Sequence, residues 1–315
     1  MSETIPQRQP HATFLFAEPD DIETFVADVA VLGVPYGQPY GMRGLGHDQV
    51  NGAEAIRRAS DRVVRDPSHF DFDWGGPLFM GRRVRMVDLG DVRADPYTVP
   101  ATYPRTREAV EAILEAGALP LVLGGDHSIP IPVIEAYRRH GPITVVQIDA
   151  HLDWREEVGG VTHGLSSPMR RVSEMDHVAG VVQVGLRGQG SARPEDFRAA
   201  VAAGAQLVTA TALHRDGVGS VLAALPEGGR YYLTVDMDGL DPSCAPAVHG
   251  PAPDGVSFAE ARDLIHGMVA RGRIVGMDVV ELTPSTDVNR LTAITAGRLF
   301  ANLIGAMCKA GQLGR

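Results

Sequence analysis

Six residues have the types and spacing to hold metal ions: His127, Asp149, His151, Asp153, Asp236 and Asp238. Each follows an apolar run that reads as a buried strand. His127 lies in Gly124-Gly125-Asp126-His127-Ser128, after residues 119–123. Asp149-Ala150-His151-Leu152-Asp153 follows residues 143–148 directly, and Asp236-Met237-Asp238 follows 231–235. Past a strand tip, alternate side chains point the same way, so positions 149, 151 and 153 can face one ion or a pair. Alone, that cluster is equally compatible with a solvated loop, and Asp236 with Asp238 is compatible with a turn or helix cap. Together the residues supply four carboxylates and two imidazoles. That is too many for one ion of ordinary coordination number and enough for two ions sharing bridging carboxylates. Oxygen-rich ligation with one imidazole per ion favours Mn²⁺ over Zn²⁺, and the affinity order also allows Ni²⁺ or Co²⁺. Two such ions roughly 3.5–4 Å apart can hold one water and lower its pKa. Asp126 is expected to orient a ligand or cap the following helix.

The elements that must position these residues are legible as an alternation. Strands are expected over residues 26–34, 84–89, 119–123, 143–148, 181–186, 206–208, 231–235 and 274–280, the last followed by Glu281. Helices are expected over 51–60, with Asn51 near its start, and over 104–116, with Thr102 as cap and Gly117 as stop. Others fall over 131–140, 194–203 and 291–307, and Ser257 with Glu260 reads as a capping box. Continuous Val/Ile/Leu runs separated by helices mark a mostly parallel sheet covered on both faces. In such sheets ligands bind at the carboxyl ends of the strands. The expectation is an α/β chain forming one domain over 1–315, with an irregular arm over the first 20 or so residues.

Composition narrows the partners. The 315 residues are 44% hydrophobic and 22% charged, enough to bury a sizeable core. With 29 basic and 39 acidic residues the formal charge is −10, which disfavours nucleic acid and anionic membrane and favours a cationic small substrate. Cys244 and Cys308 give no disulfide framework. No uninterrupted apolar run reaches the eighteen or so residues of a membrane span, and no signal-peptide pattern opens the chain, so a cytoplasmic protein is expected.

GGDHS (124–128), DAHLD (149–153), TVDMDGLDPSCAP (234–246) and DVVELTP (278–284) together resemble the signatures of the arginase/agmatinase ureohydrolases. Further similarity runs from GVPY near residue 33 through AIRRAS (55–60) and DLGD (88–91) to the C-terminal helix, so it covers nearly the whole chain. The resemblance implies a three-layer αβα fold with a central sheet of about eight strands. It also implies a dinuclear Mn²⁺ centre, release of urea from a guanidino compound, and trimers or hexamers. It carries His127, Asp149, His151, Asp153, Asp236 and Asp238 over as metal ligands, with Asp149 and Asp236 as bridges. His163, in Thr162-His163-Gly164, takes the place of a proton shuttle to the leaving amine, a role that suits a group titrating near neutrality. Glu281 takes the place of the carboxylate that pairs with the guanidinium. A salt bridge from Glu281 to Arg290 is the alternative.

The sequence departs from the family pattern in three places. After Asp241 it runs Ala245-Pro246-Ala247-Val248-His249-Gly250-Pro251 where a glycine/threonine run is usual, so His249 is a candidate to narrow the site or touch the substrate tail, with solvent exposure as the third option. Around residues 36–43 only Arg43 echoes the usual pattern. The 154–171 segment lacks the asparagine-rich loop of arginases, which argues against arginine as substrate. Trp154 and Arg155 are candidates for substrate contact there. Glu156 or Glu157 could attract the far ammonium of agmatine, and Arg155 or Arg170 the carboxylate of a guanidino acid. The expected activity is metal-dependent hydrolysis of a non-arginine guanidino compound, agmatine or a guanidino acid. Free guanidine, a formimino compound, a specialised-metabolite guanidine and a catalytically silent metal-binding regulator are the alternatives.

Overall fold

The computed structural model describes residues 7–8, 10–37, 40, 48–94 and 99–315. The first six residues of the expected arm, and Arg43 with most of its loop, lie outside them. Ten strands form one sheet: β1 (Gln7–Arg8), β2 (Glu18–Pro19), β3 (Val29–Val34), β4 (Met86–Val92), β5 (Leu119–Gly124), β6 (Ile143–Ile148), β7 (Val178–Leu186), β8 (Gln206–Thr209), β9 (Arg230–Asp236) and β10 (Arg273–Val280). Eight of these have four residues or more, which is the expected number. Their order is β1-β4-β3-β5-β10-β9-β6-β7-β8, with β2 also beside β4. Among the strand pairings of the described residues, only β1–β4 is antiparallel.

Among the described residues nine α-helices accompany the sheet: α1 (Gly52–Val63), α2 (Val99–Glu115), α3 (Pro130–Glu135), α4 (Pro168–Ser173), α5 (Pro194–Ala202), α6 (Ala210–Asp216), α7 (Val218–Ala224), α8 (Phe258–Arg271) and α9 (Leu291–Lys309). Alternation along each strand feeds two apolar layers. Val29 and Val31 of β3 join Ile56, Leu264, Met268, Phe300 and Leu303 from α1, α8 and α9. Ala30 and Leu32 join Val110, Ile113, Ile134, Met169 and Val172 on the other face. Burying both faces is what makes the strands read as continuous apolar runs. By length and composition the helical stretch Val288–Lys309, which contains α9, could cross a membrane, but 83% of its most apolar part is buried inside the protein.

The helix ends follow local chemistry, with one difference from expectation. Thr102 does not cap α2; it lies inside a helix that begins at Val99, and its carbonyl accepts from the Thr106 hydroxyl at 3.0 Å. Pro104 falls early enough in α2 to cost one backbone bond near its start. Asn51 precedes α1 as expected, and its side-chain amide donates to Asp48 Oδ1 at 2.9 Å. At α8 the expected box is complete: Ser257 Oγ accepts from Glu260 N at 3.2 Å, and the Glu260 carboxylate accepts from Ser257 N at 2.8 Å. Ser257→Ala is expected to cost about 1 kcal/mol, a fall in melting temperature of about 2 °C by calorimetry.

A buried ion pair ties α1 to β4. Arg57 is 1% exposed and its guanidinium grips Asp88 at 2.9 Å through both Nε and Nη2. Nη2 also donates to Gly90 O at 3.0 Å, and Nη1 pairs with Asp91. Asp88 further accepts from Phe14 N and Gly90 N. Gly33 of β3 lies against this knot, where any Cβ would meet the Asp91 carboxylate and Arg57.

Candidate metal centre

β5, β10, β9 and β6 are consecutive in the sheet and parallel, so their carboxyl ends meet at one rim. His127 follows β5, Glu281 follows β10, Asp236 closes β9 with Asp238 just beyond, and Asp149 follows β6. Two ligand groups result. One joins His127, Asp149 and Asp236; the other joins Asp149, His151 and Asp238, with the ligand atoms of each group within 4.8 Å of one another. Asp149 belongs to both. His127 Nδ1 faces Asp149 Oδ2 at 2.9 Å and Asp153 Oδ2 and Asp236 Oδ2 at 3.0 Å each. His151 Nδ1 faces Asp238 Oδ2 at 3.0 Å and Asp149 Oδ1 at 3.5 Å.

The donor chemistry fits a cationic occupant. His127 Nδ1 is buried and surrounded by three carboxylate oxygens, yet none lies in line for a hydrogen bond. Burial and the Asp149 charge push Asp153 up to about 7. Burial with Asp238 and Asp149 raises Asp236, and burial with Asp149 raises Asp238. Burial works against ionised Asp149 too, but the facing His127 and His151 outweigh it and hold Asp149 below the usual range. Hydrogen bonds to Asp149 and Asp238 drive His151 up to about 12. Carboxylates that repel one another in a dry site are relieved by divalent cations.

Two residues here adopt left-handed backbone without being glycine: Asp153 at φ 50° and Glu281 at φ 65°. Such conformations cost of order 1 kcal/mol or more and gather at functional sites. Glu281 is buried, and its Oε1 accepts from His127 N at 2.9 Å while Oε2 accepts from Gln49 Nε2 at 3.1 Å. Burial, then the neighbouring Asp126 charge, raises it to about 8. Arg290 is not its partner; that side chain donates to Arg58 O at 2.8 Å. Asp126 accepts from Ser128 N at 2.9 Å at the turn into α3.

The remaining candidates lie around this rim. His163 is half-buried, bonded through Nδ1 to Thr162 Oγ1 at 2.8 Å and packed edge-on to Tyr103 with ring centres 5.7 Å apart. It shares a small cavity with Ser128, Tyr36 and Thr106. Burial, then Arg171, lowers its pKa. Tyr40 ties the same segment inward: its hydroxyl accepts from Ser166 N at 2.8 Å, and a Cβ on Gly164 would strike its ring. His249 is exposed on a loop whose Val248 bridges Leu282. Trp154 is buried in the apolar layer with Met169 and Val172. Arg155 donates to Ser191 O at 2.9 Å and faces Asp196 at 3.4 Å. Glu156 pairs with Arg170 and Arg171, and Glu157 accepts from Gly160 N. The structure thus gathers the six ligand candidates and Glu281, and leaves the charges of 154–171 bonded mainly among themselves.

Sequence reading missed a polar row beneath the ligands. Gln183 of β7, Gln147 of β6, Thr234 of β9 and Asp278 of β10 are register partners across four neighbouring strands. Gln183 donates to Leu152 O at 2.8 Å and to Gln147 Oε1, and Gln147 donates to Asp149 Oδ2 at 2.6 Å. The available signal was a lone polar residue one to three positions before the end of each apolar run. Arg187 was missed as well: its guanidinium donates to the carbonyls of Asp238 at 2.7 Å, Gly239 at 3.1 Å and Ala252 at 2.8 Å. It fixes the loop that carries Asp238.

Residues 27–305 match the model of the Arginase family. The chain is 31% identical to proclavaminate amidinohydrolase of Streptomyces clavuligerus over 91% of this chain and 90% of that protein. It is 33% identical to the mitochondrial agmatinase of Gallus gallus over 70% of this chain, a match spanning 66% of that protein, just under two thirds of its length. Among solved structures, that of proclavaminate amidinohydrolase superposes with a TM-score of 0.83 at 28% identity, covering 97% of this chain and 99% of the other.

Proposed function

The chain belongs to the arginase family, and from that premise we propose that it is a metal-dependent amidinohydrolase releasing urea from a non-arginine guanidino substrate, agmatine or a guanidino acid. The observation that carries this reading is the pair of ligand groups sharing Asp149 at the rim of four central strands, with the buried Glu281 carboxylate beside them. His127, Asp149, Asp153 and Asp236 would hold one Mn²⁺, and Asp149, His151, Asp236 and Asp238 the other; Ni²⁺ or Co²⁺ are the substitutes this ligand set allows. When bound, such a pair of ions polarises a substrate and makes water a nucleophile near neutral pH.

This chain's own residues do the rest. Glu281 keeps free lone pairs after its bonds to His127 N and Gln49, so it can accept a guanidinium in bidentate fashion. That pairing orients the guanidinium carbon toward the ligand groups. His163 takes up a proton from water at the site and hands it to the departing amine; burial and Arg171 lower its pKa, which makes it a ready donor once charged. A specialised guanidino substrate is the second reading, favoured by the near full-length match to proclavaminate amidinohydrolase.

The test is urea release by Mn²⁺-loaded protein offered agmatine, guanidinopropionate, guanidinobutyrate, arginine and an amidino substrate of the proclavaminate kind. Urea from one of the non-arginine compounds is expected. Urea from none of them, or fastest release from arginine, would sink the reading. Glu281→Gln should lower kcat/KM on the order of 100-fold, from loss of a charge-assisted pairing worth about 2–3 kcal/mol.

A further inference from the structure

Below the ligands, the His127 ring runs into a chain of three groups that ends on a buried carboxylate. His127 Nε2 lies 3.2 Å from Thr234 Oγ1, which lies 2.6 Å from Asp278 Oδ1. The other oxygen, Asp278 Oδ2, accepts from Tyr232 OH at 2.6 Å. All four side chains are fully buried or within 1% of it. A threonine hydroxyl has one proton to give, whereas an ionised carboxylate has none. Asp278 therefore takes the Thr234 proton, and Thr234 Oγ1 is left only lone pairs to offer His127. In the neutral ring that a metal needs, the one hydrogen then sits on Nε2, and the Nδ1 lone pair faces the space among the Asp149, Asp153 and Asp236 oxygens.

We propose that Thr234 and Asp278 are positioning residues that lock His127 in the Nε2–H form and so reserve Nδ1 as a metal ligand. The inference rests on the metal-centre reading above. Tyr232 serves the same end, since its hydroxyl satisfies the second Asp278 oxygen and leaves the first to Thr234. The register supports a built device: Thr234 and Asp278 are direct cross-strand partners of β9 and β10, so backbone pairing sets their separation. An imidazole that presents the correct nitrogen without rearranging binds metal more tightly, and losing such an outer partner typically costs 10–100-fold in affinity.

Thr234→Val keeps the shape and removes the hydroxyl; Thr234→Ser keeps the hydroxyl. Titration calorimetry of the full-length protein with Mn²⁺ alone should show one ion bound roughly 10–100-fold more weakly in Thr234→Val and both ions near wild-type affinity in Thr234→Ser. Wild-type affinity for both ions in Thr234→Val, or equal losses in the two variants, overturns the proposal. Asp149→Ala serves as the control for the underlying reading: if it binds both ions normally, the metal centre itself is wrong. Should Thr234→Val not fold, proton NMR of the Co²⁺-loaded wild-type protein supplies the readout. One metal-shifted ring N–H, that of His127, should exchange slowly with water, while that of the half-exposed His151 exchanges fast. Fast exchange of both overturns the proposal.

Discussion

Asp149→Ala is expected to retain close to no Mn²⁺ after desalting and to lose more than about 100-fold in urea release. Asp149 belongs to both compact ligand groups and, with Asp236, would serve both ions; one of its oxygens lies 2.9 Å from His127 Nδ1 and the other 3.5 Å from His151 Nδ1. Asp149 would contribute to holding both ions, so the effect of its removal should exceed the 10–100-fold typical of losing an outer partner. A thermal shift gives an independent readout. Ligand at about a hundred times its dissociation constant stabilises by about 2.7 kcal/mol, which for a chain of this size is roughly 4 °C. Mn²⁺ should raise the wild-type melting temperature by that order and leave the variant's unchanged. An equal Mn²⁺ shift in both proteins would remove Asp149 from the centre.

Arg57→Met is expected to destabilise by about 3–5 kcal/mol, because it strands the fully buried Asp88 without its cation. At roughly 0.7 kcal/mol per degree for this length, the melting temperature should fall by about 4–7 °C. Asp88 would keep its bonds from Phe14 N and Gly90 N, which limits the loss. Adding Asp88→Asn to Arg57→Met should recover part of it, since the fully buried charge is then removed and only the partly exposed Asp91 is left without its cation. A double variant less stable than the sum of the two singles would contradict that account. Metal binding should persist in both, because the ion pair lies on β4 and α1, two strands from His127.

That ion pair also shows what kind of information the sequence carried. Arg57 in AIRRAS, Asp88 and Asp91 in DLGD, and Gly33 in GVPY were legible as family-like segments, but nothing in their spacing says that they meet. The structure brings all three to one buried knot that holds the fold and touches no ligand. The metal residues were easier to read, because each follows an uninterrupted apolar run and strand ends in a parallel sheet share a rim. The polar row was hidden by the same runs: a single Gln147 or Thr234 among valines and leucines weighs little against the apolar majority. Short helices α4, α6 and α7 were missed because six or seven residues give too few turns for a periodic stripe. The 154–171 segment stayed opaque for an electrostatic reason. Glu156 can be recognised as a charge, but only three-dimensional structure shows that Arg170 and Arg171 both take it.

The strand order has a consequence for how the protein comes into being. Along the chain the central strands appear as β5, β6, β9, β10, but across the sheet they stand as β5, β10, β9, β6. β10 therefore arrives last and enters between neighbours that are already made. Until it does, His127 at the end of β5 and Asp236 at the end of β9 have no strand joining them. A growing chain that has emerged only through Asp238 possesses every ligand and no site. Closing such long loops before any contact rewards them is slow, so capture of the ions should mark the last step of folding and not seed its first. Metal added during refolding should accordingly leave the early rates unchanged and slow only the unfolding of the finished protein.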